Sequence, residues 1–491
     1  LDTFWAIIPP VAAIVGAATT KRIIPSLLMG LLAGALIKSG GSPLGAILAA
    51  GEYLAGVVAQ ESNAYIILFL FAFGALAEIF KIGGGISGFA KTAEPYVQSE
   101  KGALLSVLAA TPATFLDCCF HVISTGTISK PLLDKAGGSK DKLAFVVNTT
   151  SSQLIVLIPF ATTYVGYILG VIGSAMSQTG IGGSSYLIYL ASIPFNFYSI
   201  LMVAFSIISI FIPFKFSFFK LAEPAYKRQE QEGDHNSHEA HEECKFSEKV
   251  PPRIGNLLIP LLFLLVMIMY LFWWTGHAKG APSFWDALLN ADYEKAILVS
   301  SLATLVVTTV LYLIQRIPMK ELQSHFLSGG TEMLPPIVIL VLAWSISRVT
   351  QDIGFSAFIS RILESSFLPA QLVPLVIFII GATASYFMGS SWGTWALIMP
   401  LALSIAVTTG ASIPLTVGAV LAGGSVGDNL SPLGETPVLT AAVMEMPITD
   451  HVRFMLPYGI VAILMSAALY FVANYSFPYE TISSIRLLRL W

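Results

Sequence analysis

The chain has 491 residues, 55% of them hydrophobic and 11% charged, with a formal net charge of -3. Soluble domains carry about a quarter of their residues as charged ones, so this composition excludes an ordinary soluble domain, and with no basic surplus nucleic acid is excluded as a partner. Three cysteines, Cys118 and Cys119 adjacent and Cys244 in a polar stretch, form neither a disulfide framework nor a metal-ligand spacing and read as small packing residues.

The class expected is an all-α polytopic membrane protein. A span needs about 20 mainly apolar residues, and the chain offers roughly ten to twelve such segments, some too short or too interrupted by glycine to cross as one helix. The first apolar stretch lacks a basic leader and runs into further spans, so no cleavable signal peptide is expected. The location expected is a cell membrane, the bacterial inner membrane.

In chain order, residues 4–18 and 24–37 are short apolar segments separated by Lys21 and Arg22, a hairpin of helices. Residues 43–60 are amphipathic, with Glu52 on one side, and 63–80 form a strong span ended by Gly83 to Gly85. After a polar connection comes an apolar helix that gives way to Asp117, His121, Ser124, Thr125 and Thr127, a broken span or a re-entrant pair. Residues 142–160 carry six consecutive polar side chains, Asn148 to Gln153, within a hydrophobic run. One buried hydroxyl bonds back to its own helix, whereas six in a row imply a polar cavity or a break.

Spans at 160–178 and 184–213 close a first transmembrane repeat, residues 1–213. Residues 214–253 are a hydrophilic linker, basic at both ends and therefore expected to be cytoplasmic. Its His235, His238 and His241, among Glu239, Glu242 and Glu243, read as part of a solvated acidic linker rather than a metal or pH site. A second repeat is expected over 254–475, with spans at 254–274 and 295–315 and an amphipathic piece from Pro318 to Leu327. Apolar runs follow at 335–350, which carries Arg348, and at 371–388, 394–409, 411–424 and 455–473. The tail, 476–491, reads as a surface segment.

Within the second half, Gly427 to Pro437 places Asp428 and Glu435 in otherwise apolar sequence. A charge at membrane depth costs roughly 2.5 to 3.5 kcal/mol on insertion scales and marks an ion or substrate path. The glycines and prolines break the helix and free carbonyl oxygens to coordinate a small cation.

Three landmarks recur in the same order in both halves, the trace of an internally repeated transporter. They are Ile-Gly at Ile82 and Ile353, Gly-Thr opening an apolar helix at Gly126 and Gly393, and the polar breaks at Asn148 and Gly427, offset by 271, 267 and about 280 positions. Inverted repeats would bring the two breaks together as one site.

The residues resemble those of the NhaC-type sodium/proton antiporters and their sodium-lactate/malate relatives. Gly427-Asp428-Asn429-Leu430-Ser431-Pro432 with Glu435-Thr436 is similar to that family's GDHCSP followed by DT, Ser391-Trp392-Gly393-Thr394 to its SWGT, and Leu342-Ala343-Trp344 to its LAW. In the first half, Gly126-Thr127 with Pro131-Leu132 and Asp134-Lys135 resembles GTVMRPLTDK, and Lys142-Leu143-Ala144 resembles KLAY. The departures fall on polar positions: Asp117-Cys118-Cys119-Phe120-His121 stands for DDYFN and Asn148-Thr149-Thr150 for DST. The resemblance implies a homodimer, two inverted repeats with broken helices and re-entrant hairpins, and a transport domain that moves against a scaffold.

The function expected is Na+/H+ antiport, because a poorly solvated carboxylate is either protonated or cation-bound and the two ions compete for it. Asp428 is the leading carrier, with Asp117 and Glu435 next. Asn148, Thr149, Thr150, Thr127, Ser391, Thr394, Asn429 and Ser431 are candidate ligands, and Asp428, Asn148 and Thr150 form the expected Na+ set. The alternative is Na+- or H+-coupled transport of a small organic anion or amino acid, for which Arg348 offers a carboxylate partner and His121 and Gln153 polar recognition. No cofactor is expected beyond Na+ and H+ as coupling ions, and the lack of a nucleotide-binding or metalloprotease motif argues against an enzyme.

Overall fold

The computed structural model describes residues 5, 8–212, 251–354 and 369–476, and these form helices without a strand. Most of the linker, including His235, His238, His241 and Cys244, and the tail from residue 477 lie outside the described residues.

In the first half, α1 (Ile8–Thr20) and α2 (Ile23–Lys38) form the expected hairpin. The chain turns sharply into α3 (Pro43–Val58), where Pro43 opens the helix and the Ser42 hydroxyl accepts the Gly45 N–H at 3.2 Å. Then come α4 (Glu61–Ile82), α5 (Gly85–Ala93), α6 (Glu100–Thr114), α7 (Cys118–Ala136), α8 (Lys140–Thr149), α9 (Thr163–Thr179), α10 (Ser185–Ser192) and α11 (Phe197–Phe211). Gly84, at φ 67°, supplies the left-handed residue that ends α4 and starts α5, as the glycine run suggests.

The second half holds α12 (Gly255–Ala278), α13 (Phe284–Leu289), α14 (Tyr293–Ile314), α15 (Met319–Glu332), α16 (Leu334–Asp352), α17 (Val373–Met388), α18 (Ser391–Thr409) and α19 (Ile413–Ser425). It ends with α20 (Gly427–Leu430), α21 (Glu435–Val443) and α22 (Ile448–Ser476).

Seven helices among the described residues are long and apolar enough to cross a membrane, or up to nine if each of two bent pairs is one span. The protein is therefore a multi-pass, all-α membrane protein. Apolar segments outnumber crossings because several make short helices. The 15 residues of α6 reach about 23 Å, less than the roughly 30 Å of a hydrocarbon core.

Three expectations are refined. The segment 184–213 is not one straight helix: it bends by 51° between α10 and α11, where Pro194 and Asn196 interrupt the helix, so it is a broken span or a re-entrant loop. The amphipathic piece at Pro318–Leu327 is not separate either, because α15 continues through Met333 into α16 as a 34-residue candidate span. Its glycine pair is buried against α4: a side chain at Gly329 would strike the Gly74 backbone, and one at Gly330 the Phe71 ring. Finally, Gly393-Thr394 does open α18, but Gly126-Thr127 lies in the middle of α7.

Four pairs of helix starts share one offset. Glu61 and Leu334, Glu100 and Val373, Cys118 and Ser391, and Lys140 and Ile413 are each 273 positions apart, so pairing the two Gly-Thr strings misaligns the halves by six residues.

Behind the paired breaks sits an aromatic cluster. Tyr164 and Tyr167 of α9 pack on Trp392 and Trp395 of α18 with ring centroids 4.6 to 6.5 Å apart. Its polar tips are satisfied by backbone, with Tyr167 Oη donating to the Trp392 carbonyl at 2.7 Å and Trp395 Nε1 to the Leu421 carbonyl at 3.1 Å. This stiff wall positions Tyr164 toward Asp428.

Candidate functional site: two interrupted helices and their carboxylates

Both polar stretches leave the α-helix where the sequence turns polar. After α8 the hydrogen bonding widens to a π turn over Thr150–Leu154, tightens to a 3-10 turn over Ile155–Leu157 and becomes extended at Ile158. In the second half, α20 lasts four residues and the chain is extended at Ser431. Gly427 allows this: its N–H donates to Ser385 Oγ at 2.7 Å, so close to α17 that a side chain would collide with the Ser385 backbone.

The two stretches touch. Asn429 Nδ2 donates to Asn148 Oδ1 at 2.9 Å, and Gln153 Nε2 donates to the Ser425 carbonyl at 2.9 Å. Around that contact runs a chain of neutral groups: Tyr198 Oη donates to Asn429 Oδ1 at 2.9 Å, Asn148 Nδ2 to His451 Nε2 at 3.1 Å, and Ser199 Oγ to Gln153 Oε1 at 2.7 Å. Since His451 Nε2 accepts, its proton is on Nδ1, a buried atom without a partner.

Beside this chain lie three carboxylates. Asp428, 3% exposed, accepts the Ser391 N–H at 3.3 Å, the Ser391 hydroxyl, and Tyr164 Oη at 3.4 Å. It does not cap its own helix at Leu430 and Ser431; it closes the N-terminus of α18 instead. Asp117, 4% exposed, caps α7 by accepting the N–H groups of Cys119 and Phe120 at 2.9 and 3.1 Å, and it accepts the Thr163 hydroxyl at 3.0 Å. Glu435, exposed at the start of α21, accepts the Cys119 thiol at 3.2 Å. No lysine, arginine or histidine forms an ion pair with any of the three among the described residues.

The remaining candidates divide. His121 is fully buried, with Nδ1 2.8 Å from Thr114 Oγ1 and Nε2 2.9 Å from Thr150 Oγ1, so Thr150 meets a histidine rather than Asp428. Thr149 Oγ1 is buried and unpartnered, and Ser431 Oγ accepts the Leu433 N–H at 3.2 Å. Thr394 donates to the Ser390 carbonyl at 2.8 Å within its own helix, and Thr127 is exposed on α7, away from the buried face that carries His121 and Thr125. Arg348 is exposed near the end of α16, beside the Tyr53 hydroxyl that donates to Asp352 at 2.6 Å. The structure thus does not bring Thr127 or Arg348 into the cluster.

Sequence reasoning missed Tyr164, Thr163, Tyr198, Ser199 and His451. Thr163-Tyr164 and Tyr198-Ser199 are adjacent pairs near the starts of apolar helices, where a hydroxyl ordinarily satisfies itself locally, and only His451 offered a signal, as an ionisable group at the start of a span.

A profile of the Na+/H+ antiporter family matches residues 154–475, which include the end of the first interruption and all of the second. The chain belongs to the Na+/H+ antiporter family. Its family is one of secondary transporters, as the resemblance in the sequence implies. Two named relatives align over a third of the chain or less. The arginine/ornithine antiporter ArcD of Halobacterium salinarum is 34% identical over 28% of each chain, and the malate-2H+/Na+-lactate antiporter of Bacillus subtilis is 30% identical over 33% of this chain and 35% of that one. The fold of this family member is similar to that of the YdaH transporter of Alcanivorax borkumensis, with a TM-score of 0.57 at 13% identity over 89% of this chain and 91% of that one.

Proposed function

We propose that the protein is a secondary antiporter in which Na+ and H+ compete for Asp428 at the meeting point of the two interrupted helices. The observation that carries this reading is that Asp428 and Asp117 are buried, with Glu435 exposed beside them, and that none of the three forms an ion pair among the described residues. An ionised carboxylate removed from water is too costly unless it is paired. Asp428 therefore takes up either a proton or a mobile cation, and exchange follows if the two arrive from opposite sides. Ser391 and Tyr164 hold the carboxylate in place through donors alone, which leaves its remaining lone pairs for the ion. Asp117 and Glu435 add negative potential, and Thr149 and the freed carbonyls are the further oxygen donors. Asn148 and Thr150 support the site through Asn429 and His121.

The constant 273-residue spacing of helix starts supports two repeats, and their inverted orientation, a transport domain moving against a scaffold, and a homodimer belong to the same proposal. Exchange of an organic solute is the second reading, favoured by the substrates in the names of the two relatives. With Arg348 outside the cluster, the acidic site suits a cationic or zwitterionic solute better than an anion.

The test is transport in proteoliposomes under an imposed Na+ gradient, read with an internal pH dye and repeated with labelled organic acids and amino acids. Dye movement driven by Na+ alone supports Na+/H+ exchange. Dye movement only when a solute is present refutes it.

A further inference from the structure

Cys118 and Cys119 open α7 beside Asp117 and Glu435, and their geometry is unlike that of two packing residues. Their Sγ atoms are 3.9 Å apart, and Cys119 Sγ is 3.2 Å from Glu435 Oε1. One ligand atom each from Asp117, Cys118 and Cys119 lies within 4.8 Å of the others. A tetrahedral Zn2+ with Zn–S of about 2.3 Å and Zn–O of about 2.0 Å separates two sulfurs by about 3.8 Å and a sulfur from an oxygen by about 3.5 Å. The Sγ–Sγ and Sγ–Oε1 separations of 3.9 and 3.2 Å fall near these values. We propose that Asp117, Cys118, Cys119 and Glu435 form a binding site for a thiophilic divalent cation of the Zn2+ or Cd2+ class.

The donors choose the ion. Two sulfurs select against Na+, Mg2+ and Ca2+, which prefer an all-oxygen shell. The outer contacts are also those of a metal site: Asp117 is oriented by two backbone N–H groups and the Thr163 hydroxyl, which leaves a carboxylate lone pair for the ion. Access comes from one side, since Cys118 and Asp117 are buried while Cys119 is half-buried and Glu435 exposed. On binding, two S–H bonds break, two metal–sulfur bonds form and two protons pass to solvent. The bound ion ties the start of α7 to the start of α21, which immediately follows the second interruption, so it clamps the two halves of the chain and stops transport.

Binding is read without reference to the transported solute, so its failure is distinct from failure of the antiport reading. The probe is Cd2+ added to the full-length protein in detergent, in a Cys244→Ser background that removes the remaining thiol. The expected result is a thiolate-to-cadmium ultraviolet absorbance band that saturates at one Cd2+ per chain. It is lost in Cys119→Ser and kept in Glu435→Gln, with affinity lowered roughly tenfold or more. If Cys119→Ser fails to stay monodisperse, Glu435→Gln decides alone. The absence of a band in the parent, or unchanged affinity in Glu435→Gln, overturns the site. Undiminished transport at saturating Cd2+ overturns the clamp.

Discussion

Asp428→Asn isolates the charge that the antiport reading depends on. The amide oxygen still accepts the Ser391 N–H, and the new amide N–H groups face the hydroxyls of Ser391 and Tyr164, which rotate to accept them. The fold therefore loses about 1 kcal/mol, the worth of a typical hydrogen bond. The ion loses far more. A unit charge about 4 Å from a cation contributes about 4 kcal/mol at an effective dielectric of about 20, which is roughly a thousandfold in affinity. Na+ affinity of purified protein is measured across pH with radiolabelled Na+, with monodispersity in detergent as the folding control. In the parent, affinity falls as the pH is lowered, because a proton on Asp428 removes the charge that holds Na+. In Asp428→Asn it is weak and independent of pH. An asparagine variant that keeps pH-dependent Na+ affinity refutes the assignment and makes Asp117 the coupling carboxylate.

Glu435→Gln lowers Na+ affinity by roughly tenfold or less, because Glu435 stands at the exposed rim and acts through the field rather than as the central ligand; the same titration measures it. Arg348→Ala leaves transport within about twofold of the parent in proteoliposomes, since an exposed charge contributes little and the residue is outside the cluster. Tyr198→Phe strips Asn429 Oδ1 of its donor in a fully buried position and destabilises the protein by about 1 to 3 kcal/mol, seen as a lower thermal midpoint in detergent. Replacing Ser237 to Glu243 with a neutral linker leaves transport intact, because that composition cannot bury a core.

The polar interruptions were legible because bilayer physics makes them conspicuous: Asn148 to Gln153 and Gly427 to Pro437 are places where an apolar run stops satisfying its own backbone. That same physics leads to the contact between Asn148 and Asn429, since each stretch needs a polar neighbour. What stayed hidden was direction around a helix. Thr127 and His121 are six residues apart on α7, and that spacing turns one outward when the other is buried. Arg348 has Asp352 one turn later on α16, and its exposure follows from packing that buries the opposite face of the helix. The offset of 267 between the Gly-Thr strings differs by six residues from the 273 that separates four pairs of helix starts, because short motifs do not report where a helix begins.

The division of labour within α20 follows from its length. Asp428 and its neighbour Asn429 point to different partners, the first to Ser391 and Tyr164, the second to Asn148 and Tyr198. A segment of four residues has no helix of its own to stabilise it, so these side-chain contacts fix its position. Any movement that changes access to Asp428 must therefore either carry the amide chain with it or break it. Neutral hydrogen bonds are worth about 1 kcal/mol net, whereas breaking a buried ion pair costs about 3 to 5 kcal/mol. Under the proposed antiport, the asparagines at 148 and 429 hold the two interruptions together with contacts weak enough to be remade in each cycle, and the carboxylate is the group whose state depends on which ion is bound.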